Sequence, residues 1–236
     1  VLALMISDVP GDDPALIGSG PTVGDRSTAA EVRAVLDRWG VAIPASVHAV
    51  LLGGTGVRAP HDPALSRVEN IVYAAPSRSL AAAAELAAAQ GFAVEILGDS
   101  IEGEAREVAA THAKMALSGP RSRVILSGGE LTVTRRGDGC GGPNAEYALA
   151  LALALDGAAG IHAIACDTDG IDGAAEIAGA LIGPDTLARA RACGTDAQAA
   201  LASNDAHGFF ARTGGQVVTG PTLTNVNDFR ALLIES

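Results

Sequence analysis

The feature that most constrains the fold of this chain is an alternation of short apolar runs with longer segments rich in alanine and leucine. The run at 161–166 has the length and residue types of a buried strand, and residues 144–155 have those of a helix. Strands that alternate with helices favour a mostly parallel sheet with right-handed crossovers. The sequence therefore predicts an α/β fold with a mostly parallel or mixed sheet and helices on both faces.

The alternation can be followed along most of the chain. We predict strands at residues 1–7, 71–74, 92–97, 124–126, 130–135, 161–166, 216–219 and 229–234. We predict helices at 28–39, with Ser27 or Thr28 as the cap, from Pro44 onward, and at 77–90, 102–116, 144–155, 184–192 and 206–212.

Composition supports this class and excludes others. Hydrophobic residues make up 48% of the 236 residues and aromatic residues only 3%, so the core must be built from Ala, Leu, Val and Ile. The net charge of −11 argues against a nucleic-acid partner. No apolar run reaches the length of a membrane span. Three widely spaced cysteines, Cys140, Cys166 and Cys193, fit neither a disulfide framework nor a zinc site, which favours a cytoplasmic protein.

The chain starts at Val1, inside an apolar run, with no lead-in. We therefore expect that a preceding region is missing from this sequence. A Gly- and Pro-rich stretch at 53–63 is the candidate linker. It predicts two domains, at residues 1–65 and 66–236.

The most informative loop follows the apolar run at 161–166. It places Asp167, Asp169 and Asp172 within a few residues of one another. Clustered carboxylates repel unless a cation or a proton lies between them, and Mg²⁺ prefers such oxygen ligands. Asp and Gly are also the commonest turn residues, so an acidic surface turn explains this loop equally well.

Two glycine-rich segments are candidate phosphate sites. Ser127, Gly128 and Gly129 can form a nest of backbone amides, or a hairpin turn between two strands. Gly141 and Gly142 precede a helix whose amino terminus attracts anions, although Asn144 can equally be its N-cap.

The loop at 219–228 is unusually rich in hydroxyl and amide side chains and follows a predicted strand. Such groups recognise a hydroxylated or phosphorylated small molecule, which we favour over a purely structural loop. His207 is the only histidine near a candidate loop.

Taken together, these segments resemble a known family. The ordered series comprises residues 8–12, 19–22, 102–106, 127–130, 167–173 and 219–228. It is similar to the glycerate 2-kinases whose carboxyl-terminal unit is called MOFRL, proteins that are also provisionally named hydroxypyruvate reductases. The resemblance covers nearly the whole chain, and the series is more specific than any one of its segments.

The resemblance implies that a Rossmann-like domain precedes this region and that the active site lies between the two. Residues 1–65 would then be the terminal part of that first domain, and residues 66–236 the MOFRL-type α/β domain. The missing amino-terminal domain is therefore an expected partner, and a homo-oligomer is allowed.

The activity that the resemblance implies is ATP-dependent phosphorylation of D-glycerate, or a similar hydroxy acid, to 2-phosphoglycerate. The implied cofactors are ATP and Mg²⁺. The catalytic residues would be Asp167, Asp169 and Asp172, which would hold Mg²⁺ directly or through water, with Asp167 and Asp169 as the metal ligands. The substrate and phosphate site would comprise Ser127, Gly128, Gly129, Glu130, Gly141, Gly142, Asn144, Thr222, Thr224, Asn225, Asn227 and Asp228.

The chain also departs from the family. Cys140, Pro143 and Ala145 replace two arginines and a glutamine of the usual glycine loop, and Leu223 replaces a glycine. The loop therefore lacks the cationic side chains of a phosphate clamp.

Two other functions stay open. A reductase needs a dinucleotide site, and the only candidate, Gly53-Gly54-Thr55-Gly56, is followed by prolines and not by a helix. A non-catalytic binding fragment is the other alternative, and we expect this chain to be inactive by itself.

Overall fold

The computed structural model describes residues 1–54 and 56–236. The chain forms two compact units. The first comprises residues 1–5 and 12–73, and the second comprises residues 6–11 and 74–236. The predicted domain boundary at residues 65 and 66 stays a prediction.

The first unit is small. Its helices are α1 (Ala29–Arg38) and α2 (Ala45–Gly53), and strands β1 (Leu2–Ile6) and β2 (Glu69–Ala74) pair into a two-stranded sheet. Thr28 caps α1 through a capping box, in which its hydroxyl accepts from the Glu31 amide and the Glu31 carboxylate accepts from the Thr28 amide.

The second unit is built on a six-stranded mixed sheet. Its strands are β3 (Ala93–Gly98), β5 (Arg123–Gly129), β7 (Ile161–Asp167), β8 (Gly179–Ile182), β9 (Gln216–Val217) and β10 (Asp228–Ile234). Their order is β3-β5-β10-β7-β8-β9.

Only one pair of neighbours in this sheet, β3 and β5, is parallel. The predicted α/β class is confirmed, and of the two alternatives, a mostly parallel or a mixed sheet, the mixed one is found. The physical reason is that β10 returns to the middle of the sheet and pairs antiparallel with both β5 and β7, while β8 pairs antiparallel with β7 and β9. Periodicity in the sequence predicts a strand but not its direction or its neighbours.

The helices and the remaining strands of this unit surround the sheet. They are α3 (Pro76–Ala89), β4 (Gly103–Glu104), α4 (Ala105–Ser118), β6 (Leu131–Thr132), α5 (Pro143–Leu155), α6 (Thr186–Ala192), α7 (Ala197–Ala202) and α8 (Ala206–Thr213).

Several predicted elements need correction. Strand β8 and helix α7 were not predicted, and helix α3 begins at Pro76, one residue before the predicted start, with Ala75 as its N-cap. The strand predicted at 130–135 is reduced to β6, which pairs with β4 outside the main sheet. Both missed elements are short, and a short apolar run does not distinguish a helix from a strand.

Helices cover both faces of the sheet, as predicted. Helix α3 packs through Leu80 on Val124 and Leu126. The other face carries the larger core, in which α5 lies between the sheet and the neighbouring helices. Nearly every side chain of α5 is buried, which explains why Ala and Leu occur all round this helix.

Across residues 1–54 and 56–236, no helix combines the length and the apolar character that crossing a bilayer requires.

The buried contact between His112 and Tyr147 generates a prediction about acid stability. His112 is 3% exposed, its Nδ1 lies 2.7 Å from the Tyr147 hydroxyl, and burial lowers its pKa to about 4. The unfolded chain therefore binds a proton that the folded chain does not, so stability falls as the pH drops from about 6.5 toward 4. We expect this histidine to contribute a loss of about 3 kcal/mol over that window.

Urea unfolding at several pH values checks this prediction. His112→Gln cannot titrate and should show a shallower fall in stability over the same window. An unchanged pH profile in the variant would contradict the prediction.

Candidate functional site

The candidate site lies at one edge of the mixed sheet, where three strands meet. Strand β5 ends at Gly129, β7 ends at Asp167, and β10 begins at Asp228. Asp228 pairs with Gly129 on one side and with Asp167 on the other. The insertion of β10 thus brings together three loops that the sequence keeps apart: residues 127–130, 167–173 and 219–228.

The segment Ser127-Gly128-Gly129 is the end of β5 and is fully buried. The hairpin alternative is wrong, because the following strand β6 pairs with β4 and not with β5. Gly129 has a φ of 104°, and a Cβ at this position would lie 2.3 Å from the backbone of Ile101. The lack of a side chain at Gly129 therefore allows the backbone of β5 to lie close to the backbone of Ile101. Glu130 is exposed at the strand end.

The loops at 167–173 and 219–228 are hydrogen-bonded directly to each other through Thr168. The Thr168 hydroxyl donates to the Asn227 carbonyl at 2.8 Å and accepts from the Val226 amide at 2.9 Å. The Thr222 hydroxyl donates to the Thr168 carbonyl at 2.6 Å, and the Thr222 amide donates to the Asp169 carbonyl. Thr168 was not predicted as a site residue, yet it joins the two loops.

Hydrogen bonds to other protein groups occupy several polar side chains of the loop at 219–228. The Asn225 side chain accepts from the Asn227 amide at 2.9 Å, and the Asn227 side chain donates to the Asp8 carbonyl at 2.7 Å. The Thr224 carbonyl accepts from Thr222. These bonds give a structural reason for part of the composition, and the ligand contacts assigned to Thr222, Thr224, Asn225 and Asn227 stay predictions.

Asp228 is neutralised by a buried arginine that the sequence analysis did not single out. Arg230 is fully buried and donates to Asp228 at 2.8 Å, to the Gly128 carbonyl at 2.8 Å, and to the Ser127 hydroxyl at 3.4 Å. Asn144 donates to the other oxygen of Asp228 at 2.6 Å. Burial raises the pKa of the Asp228 carboxyl, and the Arg230 guanidinium opposes that rise. The signal in the sequence was an arginine within an otherwise apolar strand.

Asp172 is fully buried, and its side chain caps the first turn of α5 from a distant part of the chain. Its two carboxylate oxygens accept from the Asn144 amide at 2.9 Å and the Ala145 amide at 2.8 Å. The Nε2 atom of His207 lies 3.2 Å from the carboxylate and 3.0 Å from the Asp172 carbonyl. Burial lowers the pKa of His207, but the hydrogen bonds to Asp172 outweigh this effect and raise it.

This arrangement revises two expectations. Asn144 is not the N-cap of α5, because Gly142 is at that position and Pro143 follows it. The amides at the start of α5 that were expected to bind phosphate are occupied by Asp172. A direct bond from Asp172 to metal would compete with these contacts, so its position favours a supporting role.

Asp167 and Asp169 differ from Asp172 and Asp228 in having no basic partner among the described residues. The Asp167 carboxylate accepts from the Asp169 amide at 3.0 Å, and the Asp169 carboxylate accepts from the Ile171 amide at 2.7 Å. Neither forms an ion pair with any residue in the described part of the chain. Burial, together with the nearby carboxylates of Asp169 and Asp228, raises the pKa of Asp167 to about 7.

The site therefore holds four aspartates in two classes. Asp172 and Asp228 are paired with His207 and Arg230, whereas no basic side chain in the described part of the chain contacts Asp167 or Asp169. Within residues 1–54 and 56–236, no group of three or more His, Cys, Asp or Glu side chains is arranged to hold a metal. Two carboxylates suit Mg²⁺ when phosphate or water supplies its other ligands.

The glycine loop (residues 137–142) lies closely against residues 203–205, the segment between α7 and α8. A Cβ on Gly137 would lie 2.6 Å from Ser203, and one on Gly139 would lie 2.6 Å from Asp205. A Cβ on Gly142 would lie 2.4 Å from the Asp172 side chain. These glycines are thus required for packing, whether or not the loop also contacts phosphate.

A second polar network anchors this loop. Arg106 donates to Glu146 at 2.7 Å, and the other oxygen of Glu146 accepts from Asn204 at 2.9 Å. The Asn204 side chain in turn accepts from the amides of Arg136 and Gly137. Arg106, which the sequence analysis placed near the start of a helix, therefore supports the glycine loop.

Glu104 precedes α4, but its carboxylate accepts from the amide and hydroxyl of Thr134 and not from the amides of α4.

Comparison with known proteins identifies the class to which this arrangement belongs. Residues 123–228 match the MOFRL family, and residues 1–52 match a domain of unknown function, DUF4147. The chain is 35% identical to the D-glycerate 2-kinase of Thermotoga maritima, over 97% of this chain and 55% of that protein. It is 30% identical to the glycerate kinase of Macaca fascicularis, over 99% of this chain and 72% of that protein.

The crystal structure of the Thermotoga maritima glycerate kinase superposes with a TM-score of 0.91 at 34% identity, covering 99% of this chain and 57% of that one. A protein of Agrobacterium vitis, provisionally named a hydroxypyruvate reductase, is 49% identical over 99% of this chain and 55% of its own length. The chain belongs to the glycerate kinase family that carries the MOFRL region. It spans about half the length of most of these relatives.

The close approach at Gly142 generates a prediction about stability. Gly142→Ala would place a methyl group against Asp172 and displace the cap of α5. We expect a loss of about 1–3 kcal/mol in the free energy of unfolding, measured in urea. Gly53→Ala is the matched control, since a Cβ at Gly53 meets nothing within 4 Å. Equal stability of the two variants would show that Gly142 is not sterically constrained.

The raised pKa of Asp167 generates a second prediction. The folded chain holds a proton on this carboxyl up to about pH 7, whereas the unfolded chain loses it near the ordinary value of 3.8. The folded state therefore loses stability as the pH rises through that window. Asp167→Asn should remove this slope and, above the window, be more stable than the wild type by about 1–2 kcal/mol after discounting for solvent screening.

Thermal unfolding in the presence of a chelator measures this effect, with Glu107→Gln, an exposed carboxylate on α4 that forms no ion pair with a described residue, as the control. If both variants follow the pH profile of the wild type, the raised pKa is not present.

Proposed function

We propose that this chain is the MOFRL-containing part of a glycerate 2-kinase, which transfers the γ-phosphoryl group of ATP to the 2-hydroxyl of D-glycerate. The observation that carries the proposal is a pair of neighbouring carboxylates, Asp167 and Asp169, that no described basic side chain contacts. They lie at the edge of the sheet where β5, β7 and β10 meet. The names of the relatives at 30–35% identity, D-glycerate 2-kinase and glycerate kinase, support it.

The cofactors proposed are ATP and Mg²⁺. Asp167 and Asp169 fit Mg²⁺ by their donor chemistry, since both offer carboxylate oxygens that no described cation occupies. When bound, Mg²⁺ would neutralise charge on the phosphates during transfer.

The residues of this chain would mainly position the reactants, because phosphoryl transfer needs alignment and charge stabilisation more than covalent chemistry. Asp172 would act through α5 by fixing its first turn. Asp228 would act with Arg230 to hold the end of β5, near which Ser127, Gly128 and Gly129 are proposed to contact phosphate. The loop at 219–228 would contribute contacts to the hydroxy acid or the nucleotide.

Because the chain spans about half of most of these relatives, the complete activity is proposed for the whole polypeptide. We propose a cytoplasmic location and a site completed by the amino-terminal domain, and we expect little turnover by this chain alone.

A hydroxypyruvate reductase is the second candidate, and the provisional name of the Agrobacterium vitis relative favours it. The glycine-rich segment at 53–56 does not support a dinucleotide site, since Gly53 ends helix α2 and does not follow a strand. Thr55, in the same segment, lies outside the described residues.

The decisive experiment measures ATP consumption with D-glycerate by the polypeptide encoded by the whole gene. We expect activity that requires Mg²⁺ and that Asp169→Ala lowers by about 100-fold or more, because a metal ion contributes several kcal/mol of charge stabilisation. Glu107→Ala, an exposed carboxylate on α4, should retain wild-type activity.

Two results would contradict the proposal. Undiminished activity of Asp169→Ala would remove this residue from the mechanism. Oxidation of NADH with hydroxypyruvate, without any effect of ATP, would reverse the order of the two candidates.

A further inference from the structure

His207 lies at the second position of helix α8 and contacts both the aspartate loop (residues 167–173) and the glycine loop (residues 137–142). Its side chain is buried, with Nε2 at 3.0 Å from the carbonyl of Asp172 and 3.2 Å from the carboxylate. Its backbone amide donates to the Cys140 carbonyl at 3.0 Å, and its carbonyl accepts from the Gln216 side chain. One residue therefore joins two loops that are about 30 residues apart in the sequence.

The contact with Asp172 extends to the start of helix α5. The carboxylate that His207 contacts also accepts from the amides of Asn144 and Ala145. The Asn144 side chain continues to Asp228 at the end of the neighbouring strand. A displaced Asp172 would therefore leave buried donors of α5 without an acceptor, which is unfavourable because each buried polar group loses its hydrogen-bond partner.

No described side chain other than His207 and Asn144 donates to the Asp172 carboxylate. Its remaining donors are backbone amides of α5, which a side-chain substitution other than proline leaves in place. His207 is thus the side chain on which the placement of the aspartate loop against α8 depends.

We propose that His207 is a positioning residue, which keeps the aspartate loop and the glycine loop in one arrangement. Its side chain holds Asp172, and its backbone amide holds Cys140. In this role it acts through these two contacts and not by binding a reactant itself. The effect on ligand binding rests on the proposed function, whereas the loop arrangement does not.

Two substitutions separate this role from general stabilisation. Glutamine can place its amide nitrogen near the position of Nε2 and still donate to Asp172, whereas the shorter asparagine matches Nδ1 and cannot reach it. In amide hydrogen exchange, we expect His207→Asn to raise the exchange of the Asn144 and Ala145 amides by at least ~10-fold, and His207→Gln to stay close to the wild type.

His112→Gln is the matched control, because His112 is equally buried but contacts Tyr147 and neither loop. It should leave the exchange of these two amides unchanged. If His207→Asn does not fold, His207→Leu takes its place in the same comparison.

Binding of Mg²⁺-ATP by the polypeptide encoded by the whole gene gives the second measurement. We expect His207→Asn to weaken binding by about 10-fold, as is usual for residues that orient a ligand indirectly, and His207→Gln to restore it.

The outcomes separate the two proposals. Unchanged exchange in His207→Asn, or an equal rise in His112→Gln or in His207→Gln, would overturn the positioning role. Absence of Mg²⁺-ATP binding in the wild type would count against the proposed function alone, since the exchange measurement does not depend on it.

Discussion

The structure of the site depends on one buried charge, the guanidinium of Arg230. It contacts Ser127 and Gly128 near the end of β5 and the aspartate that begins β10, and so it determines how these strands meet. From Asp228 the contacts continue through Asn144 to Asp172 and then to His207 on α8. Buried ion pairs contribute little net stability, because desolvation offsets their attraction. Loss of one partner nevertheless destabilises the fold strongly, because the other charge is left buried without compensation. We therefore regard this chain of contacts as a means of specifying one arrangement of the loops.

A functional consequence of this arrangement is the division of the aspartates. Four carboxylates lie near one edge of the sheet, and among the described residues Arg230 pairs with Asp228 and His207 contacts Asp172. No described basic side chain contacts Asp167 or Asp169, and burial together with the neighbouring carboxylates raises the pKa of Asp167. Closely spaced carboxylates without a basic partner favour a bound cation, and this is the reason for proposing Mg²⁺ at this place.

Much of this could be predicted from the sequence, and the errors have physical causes. Strong periodicity located the long helices and the central strands, and the order of the loop motifs indicated the family. The choice between a mostly parallel and a mixed sheet stayed open because β10 inserts between β5 and β7, a pairing that no local pattern encodes. The glycine loop was interpreted as a phosphate site, whereas its glycines also allow close packing against residues 203–205, far along the chain.

The sequence by itself determined which segments become strands, helices and polar loops, because these depend on local periodicity, capping and turn residues. Only the tertiary structure decided which aspartates are neutralised. Asp172 meets His207 across 35 residues and meets the start of α5 across 28, while Asp228 meets Asn144 across 84. Such partners are selected by the direction and order of the strands, which bring distant segments to one edge of the sheet. For this reason equivalent-looking residues within Asp167–Gly173 have different chemistry in the folded protein.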